Sequence, residues 1–128
     1  MQILLDGATL SGEEKRIVER YLQRIPPPFR PSFRESRKPI HVGVEPAVLL
    51  DAAGELMDSI QFASWIITQD RRTIFAVGGS YGFVSAWPSQ SFRFSLGRLT
   101  LPHKLAVAVF AEQLYRAYTY RSGHPYHH

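Results

Sequence analysis

Apolar positions along this chain follow two rhythms, and the points where one gives way to the other mark out its elements. Gln2 to Leu5 form a short, mostly apolar run closed by Asp6-Gly7, the pattern of a buried strand followed by a turn. Ile17, Val18, Tyr21 and Leu22 then recur at helical spacing, with Lys15, Arg16, Glu19 and Arg20 on the opposite face. Ser11 stands ahead of them as a cap, and Glu13 and Glu14 occupy the first turn, where the helix dipole favours acids. Pro26, Pro27 and Pro28 end this predicted helix, because proline lacks the amide donor and turns the preceding residue away from helical geometry.

Periodicity disappears between Pro26 and Pro39, where five prolines stand among Phe29, Phe33, Arg30, Arg34, Arg37 and Lys38. That composition predicts an extended linker. Ile40 to Val44 and Ala47 to Leu50 are both strand-like, and Ala47 to Leu50 is the better strand, since Asp51-Ala52-Ala53-Gly54 follows it as a turn. Asp58 or Ser59 can cap a helix carrying Ile60, Phe62, Ala63, Ile66 and Ile67, after which Thr73 to Val77 reads as another strand. Strand, crossover helix and strand in succession predict a parallel sheet, so the fold class is α/β. Phe92 to Leu96 is a further strand. The long helix Lys104 to Tyr120 puts Leu105, Val109, Phe110, Leu114 and Ala117 on one stripe with Val107, Ala111 and Tyr118 beside it, an arc broad enough for a core and a partner subunit.

At 128 residues the chain can build one hydrophobic core and is too short for two ordinary domains, so residues 1–128 are expected to form a single domain with 26–39 as an internal linker. The absence of cysteine excludes disulfides, thiolate nucleophiles and cysteine-ligated metals. No membrane association is expected, because the longest apolar run is broken by Glu112, Gln113 and Arg116 and falls short of the roughly 20 residues of a span. The first residues carry no basic segment of the kind that opens a signal peptide, which fits a cytoplasmic setting. A net charge of +4 suits a polyanionic partner.

Several groups of residues could carry chemistry. Gly78-Gly79, with Gly82 beyond, allows a backbone to approach a ligand closely, although the spacing is not that of a dinucleotide fingerprint. Leu96 to Leu101 offers backbone amides and carbonyls that could bind an adenine edge without a dedicated side chain, and Pro102 suits the first position of the following helix with Thr100 or Leu101 near its cap. Arg116, Arg121, His124, His127 and His128, among Tyr115, Tyr118, Tyr120 and Tyr126, form a C-terminal patch suited to phosphate contacts and base stacking. His103 and His127 are candidate proton acceptors, since imidazole titrates near neutral pH, and His103 serves equally well as a hydrogen-bonding residue at a helix entrance. The clustered histidines have no carboxylate at ligand spacing, so no metal site is expected.

The run Ser95 to His128, a glycine-bearing loop followed by an amphipathic helix and a histidine-rich tail, resembles the C-terminal end of the RlmH (YbeA-like) family of SPOUT RNA methyltransferases. The resembling residues are Leu96, Gly97, Arg98, Leu99, Thr100 and Leu101 in the loop, Pro102 and His103 at the helix entrance, Glu112, Tyr115 and Arg116 along the helix, and His124, Pro125, Tyr126 and His127 in the tail. Leu-Leu-Asp-Ala-Ala-Gly from Leu49 and Gly-Gly-Ser-Tyr-Gly-Phe from Gly78 extend the likeness back to about Ala47.

The resemblance implies a parallel sheet flanked by helices, a C-terminal trefoil knot and a homodimer. It also implies methyl transfer from S-adenosylmethionine to N3 of a pseudouridine in 23S ribosomal RNA, on assembled ribosomes. Leu50, Gly78 and Leu96 to Leu101 would hold the cofactor, and Arg116, His124, Tyr126 and His127 the target. The first half departs from the family pattern: a longer segment with another strand and a charged helix is usual before the Leu49-Leu50-Asp51 strand, and the first strand ends in Leu-Leu-Asp-Gly where a Val-Gly-Lys-like ending is usual. Two other readings accommodate the same residues. One is a different SPOUT RNA methyltransferase with another substrate; the other is an RNA- or ribosome-binding module of this fold without turnover, against which the intact Gly78, Gly97 and His124 to His127 elements argue.

Overall fold

The computed structural model describes residues 1–126. Eight elements follow one another: β1 (Gln2–Asp6), α1 (Gly12–Gln23), β2 (Ser32–Ser36), β3 (Ala47–Leu56), α2 (Ser59–Ile66), β4 (Ile74–Gly78), β5 (Phe92–Ser95) and α3 (His103–Ser122). The strands form one all-parallel sheet in the order β2-β1-β4-β3-β5. The α/β class and the parallel crossover through α2 agree with the sequence reading.

Burial explains which elements the sequence announces. Ile3, Leu5, Val48, Phe75, Val77 and Phe94 point to one face of the sheet, where they pack with Val18 and Leu22 of α1, Phe62 and Ala63 of α2, and Val107, Phe110 and Leu114 of α3. Phe110 joins the helices to the sheet, with ring centroids 5.3 Å from Phe75 and 6.0 Å from Phe62. Leu4, Leu49 and Ala76, of opposite parity in register, are equally buried, so the central strands are covered on both sides. Asp6 shares the face of Leu4, and its side chain binds residues 84–87, so that segment lies across this second face. Ile40 joins it through a hydrogen bond of 3.0 Å from its amide to Ser85 Oγ.

The structure corrects the linker. Within 26–39, Ser32 to Ser36 form β2, an edge strand paired to β1 from Gln2↔Ser32 to Asp6↔Ser36. Its residues are polar because an edge strand is held by backbone bonds and one buried flank, so no apolar alternation is required. Ile40 to Val44, strand-like by residue type, has no regular structure. The expected turn Asp51 to Gly54 is instead part of β3, which bulges away from β5 between Leu50 and Glu55 and then pairs with it again.

Two helix starts also differ in detail. Ser11 is the N-cap of α1, but its hydroxyl donates to Glu14 and makes no cap bond to the backbone. Pro102 is the N-cap of α3, its carbonyl accepting the Ala106 amide at 2.9 Å, and His103 is the first helical residue. The buried stripe of α3 is Val107, Phe110, Ala111, Leu114 and Ala117, whereas Leu105 is 49% exposed and turns away from the core.

Candidate active site

Parallel strands all point one way, and the loops that leave the C-terminal ends of β3, β4 and β5 converge on a single cleft of about 860 Å³. Leu50, Gly78, Leu96, Gly97, Leu99, Thr100 and Leu101, the positions that the resemblance marks for a cofactor, all line it. Arg98 does not. Its guanidinium turns back to the Ala52 and Gly54 carbonyls, so it ties the 96–101 loop to the β3 bulge.

The glycines have different tasks. Gly79 and Gly82 bond each other through their backbones at 3.0 and 3.1 Å, closing a tight turn in which Gly82 has φ +88°. A Cβ on Gly78 would lie 2.9 Å from the Gly82 carbonyl carbon, and one on Gly79 would lie 2.7 Å from the Gly7 oxygen. At Gly78 and Gly79 the chain approaches its own backbone closely, whereas a Cβ on Gly82 would meet nothing. At Gly97 φ is +154°, and a Cβ there would also meet nothing. This leaves open space where the loop borders the cleft. Ser95, 1% exposed, accepts the Gly97 amide at 3.1 Å and fixes where that loop begins.

Three side chains give the cleft its charge and proton chemistry. Asp51 Oδ2 and Arg93 form an ion pair of 2.7 Å between β3 and β5. The Ala53 amide and then the Arg93 guanidinium hold the Asp51 carboxyl below its ordinary range, against the opposing effect of partial burial. His103 Nδ1 lies 3.2 Å from Ser80 Oγ, which joins the start of α3 to the glycine turn. When the Nδ1 hydrogen goes to Ser80, Nε2 is left as an acceptor.

The supposed target-binding residues stand elsewhere. Arg116 lies 13 residues along α3 from His103, about 20 Å of helix, Tyr126 folds back beside it, and His124 follows the helix end. Arg116 pairs with Glu112 at 2.8 Å and stacks its guanidinium over the Tyr126 ring at 5.1 Å. Tyr126 meets Tyr115 edge-on at 4.7 Å, and burial together with a hydrogen bond to Tyr21 pushes its phenol pKa up. His124 is exposed, with its amide capping α3 on Thr119 at 2.9 Å. His127 and His128 lie outside the described residues.

One residue with a large structural role reads as nothing more than a turn in the sequence. Asp6 is fully buried, and its carboxylate accepts the Val84 and Ser85 amides, the Ser85 hydroxyl at 2.6 Å and the Trp87 indole at 3.0 Å. It therefore organises the chain that follows the glycine turn. Among the described residues no group of three or more His, Asp or Glu side chains could hold a metal ion, and no helix is long and apolar enough to cross a membrane.

Comparison with known proteins agrees with this arrangement. A family described as "Predicted SPOUT methyltransferase" matches residues 42–127. A "Ribosomal RNA large subunit methyltransferase H" of Geobacter sp. (strain M21) is 45% identical over 86 residues, covering 63% of this chain and 56% of that one. One of Gloeobacter violaceus is 42% identical over 91 residues, covering 70% and 60%. One of Geotalea daltonii is 32% identical over 127 residues, covering 95% of this chain and 72% of its own. The chain thus spans less than two thirds of the first two relatives' length. With the matched stretch containing β3, β4, β5, α3 and every loop of the cleft, the chain belongs to the SPOUT methyltransferase family.

Proposed function

We propose that this protein is an S-adenosylmethionine-dependent methyltransferase acting on N3 of a pseudouridine in 23S ribosomal RNA of the assembled ribosome, working as a cytoplasmic homodimer. The observation that carries the reading is the cleft at the strand ends, formed by the family-matching loops and large enough for a nucleoside cofactor. Its walls suit that ligand. Leu50, Val77, Leu96 and Ala106 offer apolar surface, and the 96–101 backbone offers amides and carbonyls to an adenine edge. The open space at Gly97 leaves room beside them.

What the cofactor supplies when bound is an electrophilic methyl group on a sulfonium. The chain's own contribution is to orient the reactants and to handle the proton on N3. In this reading His103 Nε2 accepts that proton as the base becomes nucleophilic, with Ser80 holding the ring through Nδ1. His103→Gln is expected to slow methyl transfer about a hundredfold with unchanged affinity for S-adenosylmethionine, since general-base catalysis contributes at least about that factor. A quench assay of methyl incorporation into ribosomal RNA, paired with calorimetry, measures both; equal turnover in the variant would remove His103 from the mechanism.

The separation of Arg116 and Tyr126 from His103 by about 20 Å of α3 supports a composite site, in which one subunit holds the cofactor and the tail of the other meets the target. Half-exposed Leu105, on the outer side of α3, gives the second subunit an apolar surface to cover. Mixing a cleft-blocked chain, Ala106→Trp, with a tail variant, Tyr126→Ala, is expected to restore about a quarter of wild-type turnover, because half of a random mixture of dimers carries one intact composite site out of two. No restoration would mean that each chain works alone.

A further inference from the structure

The part of the cleft bordered by β3 and β5 carries a feature that methyl transfer itself does not use. Asp51 is the one carboxylate lining the cleft among the described residues, and Arg93 is the one guanidinium. Their contact of 2.7 Å leaves most of their hydrogen-bonding capacity free. Asp51 Oδ1 otherwise accepts only the Ala53 amide, and Arg93 makes no other hydrogen bond among the described residues.

An exposed ion pair of this kind contributes little to stability. Yet the backbone around it is held from several directions. The Ser95 hydroxyl is 3.1 Å from the Ala52 carbonyl, and Arg98 grips Ala52 and Gly54. A Cβ on Gly54 would lie 2.7 Å from the Arg93 carbonyl, so the bulge presses directly on the strand that carries Arg93. Asp51 is thus fixed by its own bulge, and Arg93 by β5. Preorganised opposite charges at the wall of a ligand cleft complement a ligand that carries an ammonium and a carboxylate on neighbouring atoms.

We propose that Asp51 and Arg93 form a clamp for the α-amino-acid end of the cofactor, Asp51 taking its ammonium and Arg93 its carboxylate. This rests on the cofactor reading above and adds to it a basis for discrimination: the clamp selects ligands that carry the amino-acid end over adenine nucleosides that lack it. Adenine and ribose have no charge to satisfy the pair. Neither residue enters the methyl transfer step, so their effect is on binding.

Three ligands separate the possibilities: S-adenosylmethionine, S-adenosylhomocysteine and 5′-methylthioadenosine, the last keeping adenine, ribose and sulfur but lacking the amino-acid end. Calorimetry on the wild-type chain is expected to give at least about tenfold tighter binding for the first two, the scale of a hydrogen bond between charged groups. Arg93→Gln and Asp51→Asn are each expected to weaken those two about tenfold and to leave 5′-methylthioadenosine unchanged, which also reports that each variant still folds its cleft. Equal loss for all three ligands in both variants would overturn the clamp and make the pair a support for the bulge. Unchanged binding of all three in both variants would overturn it too, with the cofactor cleft left standing. A wild-type chain that binds none of them would overturn the cofactor reading and the clamp with it.

Discussion

Ala106→Trp is expected to abolish measurable binding of S-adenosylmethionine, a loss of at least about a thousandfold, while the protein keeps its unfolding free energy within about 1 kcal/mol. Ala106, in the first turns of α3, lines the cleft and is only partly buried at the edge of the core, so an indole there extends into ligand space. The helix tolerates the change because the altered side chain leaves the Ala106 amide on the Pro102 carbonyl. Calorimetry and urea denaturation on the same sample measure the two effects separately. Retained binding would mean that the ligand lies elsewhere than against α3.

Gly78→Arg would not separate the two effects. A bulky residue at Gly78 also intrudes on the cleft, but its Cβ alone would sit 2.9 Å from the Gly82 carbonyl carbon. Real Cβ atoms do not approach backbone so closely, so the Gly79–Gly82 turn must open. Gly78→Arg therefore loses binding and stability together, and its failure to bind says little about where the ligand goes. Ala106→Trp separates them.

Asp6→Ala is expected to cost about 3 kcal/mol, with a fall in Tm on the order of 10 °C. Removal of the carboxylate orphans four donors at once: two amides, a hydroxyl and an indole. The cost is less than four separate bonds would suggest, because the 84–87 segment is near the surface and water can reach part of it. Asp6→Asn should recover only part of the loss, since its amide nitrogen would confront donors where an oxygen now accepts. Urea unfolding followed by Trp87 fluorescence reports the global midpoint and the local environment together. A change below about 1 kcal/mol in Asp6→Ala would show that the segment is held by other contacts.

Asp6 also illustrates where sequence reading stops. In Leu-Leu-Asp-Gly an aspartate before glycine is an ordinary turn signal, and Gly7 does turn, with φ +106°. The donors that give Asp6 its larger role lie 78 to 81 residues further along. No local pattern connects them. The same holds for Arg93 and Asp51, brought together only because β5 lies beside β3, and for Ser80 and His103, joined only because α3 starts over the glycine turn.

By itself the sequence determined α1, α2, α3 and the strands β1, β3, β4 and β5, since each buries a periodic or continuous apolar face and burial selects residue type. It also determined the loop positions of the cleft, through motifs that belong to a family. Tertiary structure decided the rest. Polar β2 became a strand because an edge needs backbone pairing more than apolar side chains. Arg98 left the cleft because the carbonyls of a neighbouring bulge were within reach. Arg116 ended about 20 Å from His103 because 13 residues of α3 separate them, and Tyr126 folded back beside it. Sequence specifies which surfaces must be buried; which side chains meet across that burial depends on chain crossings that no local pattern records.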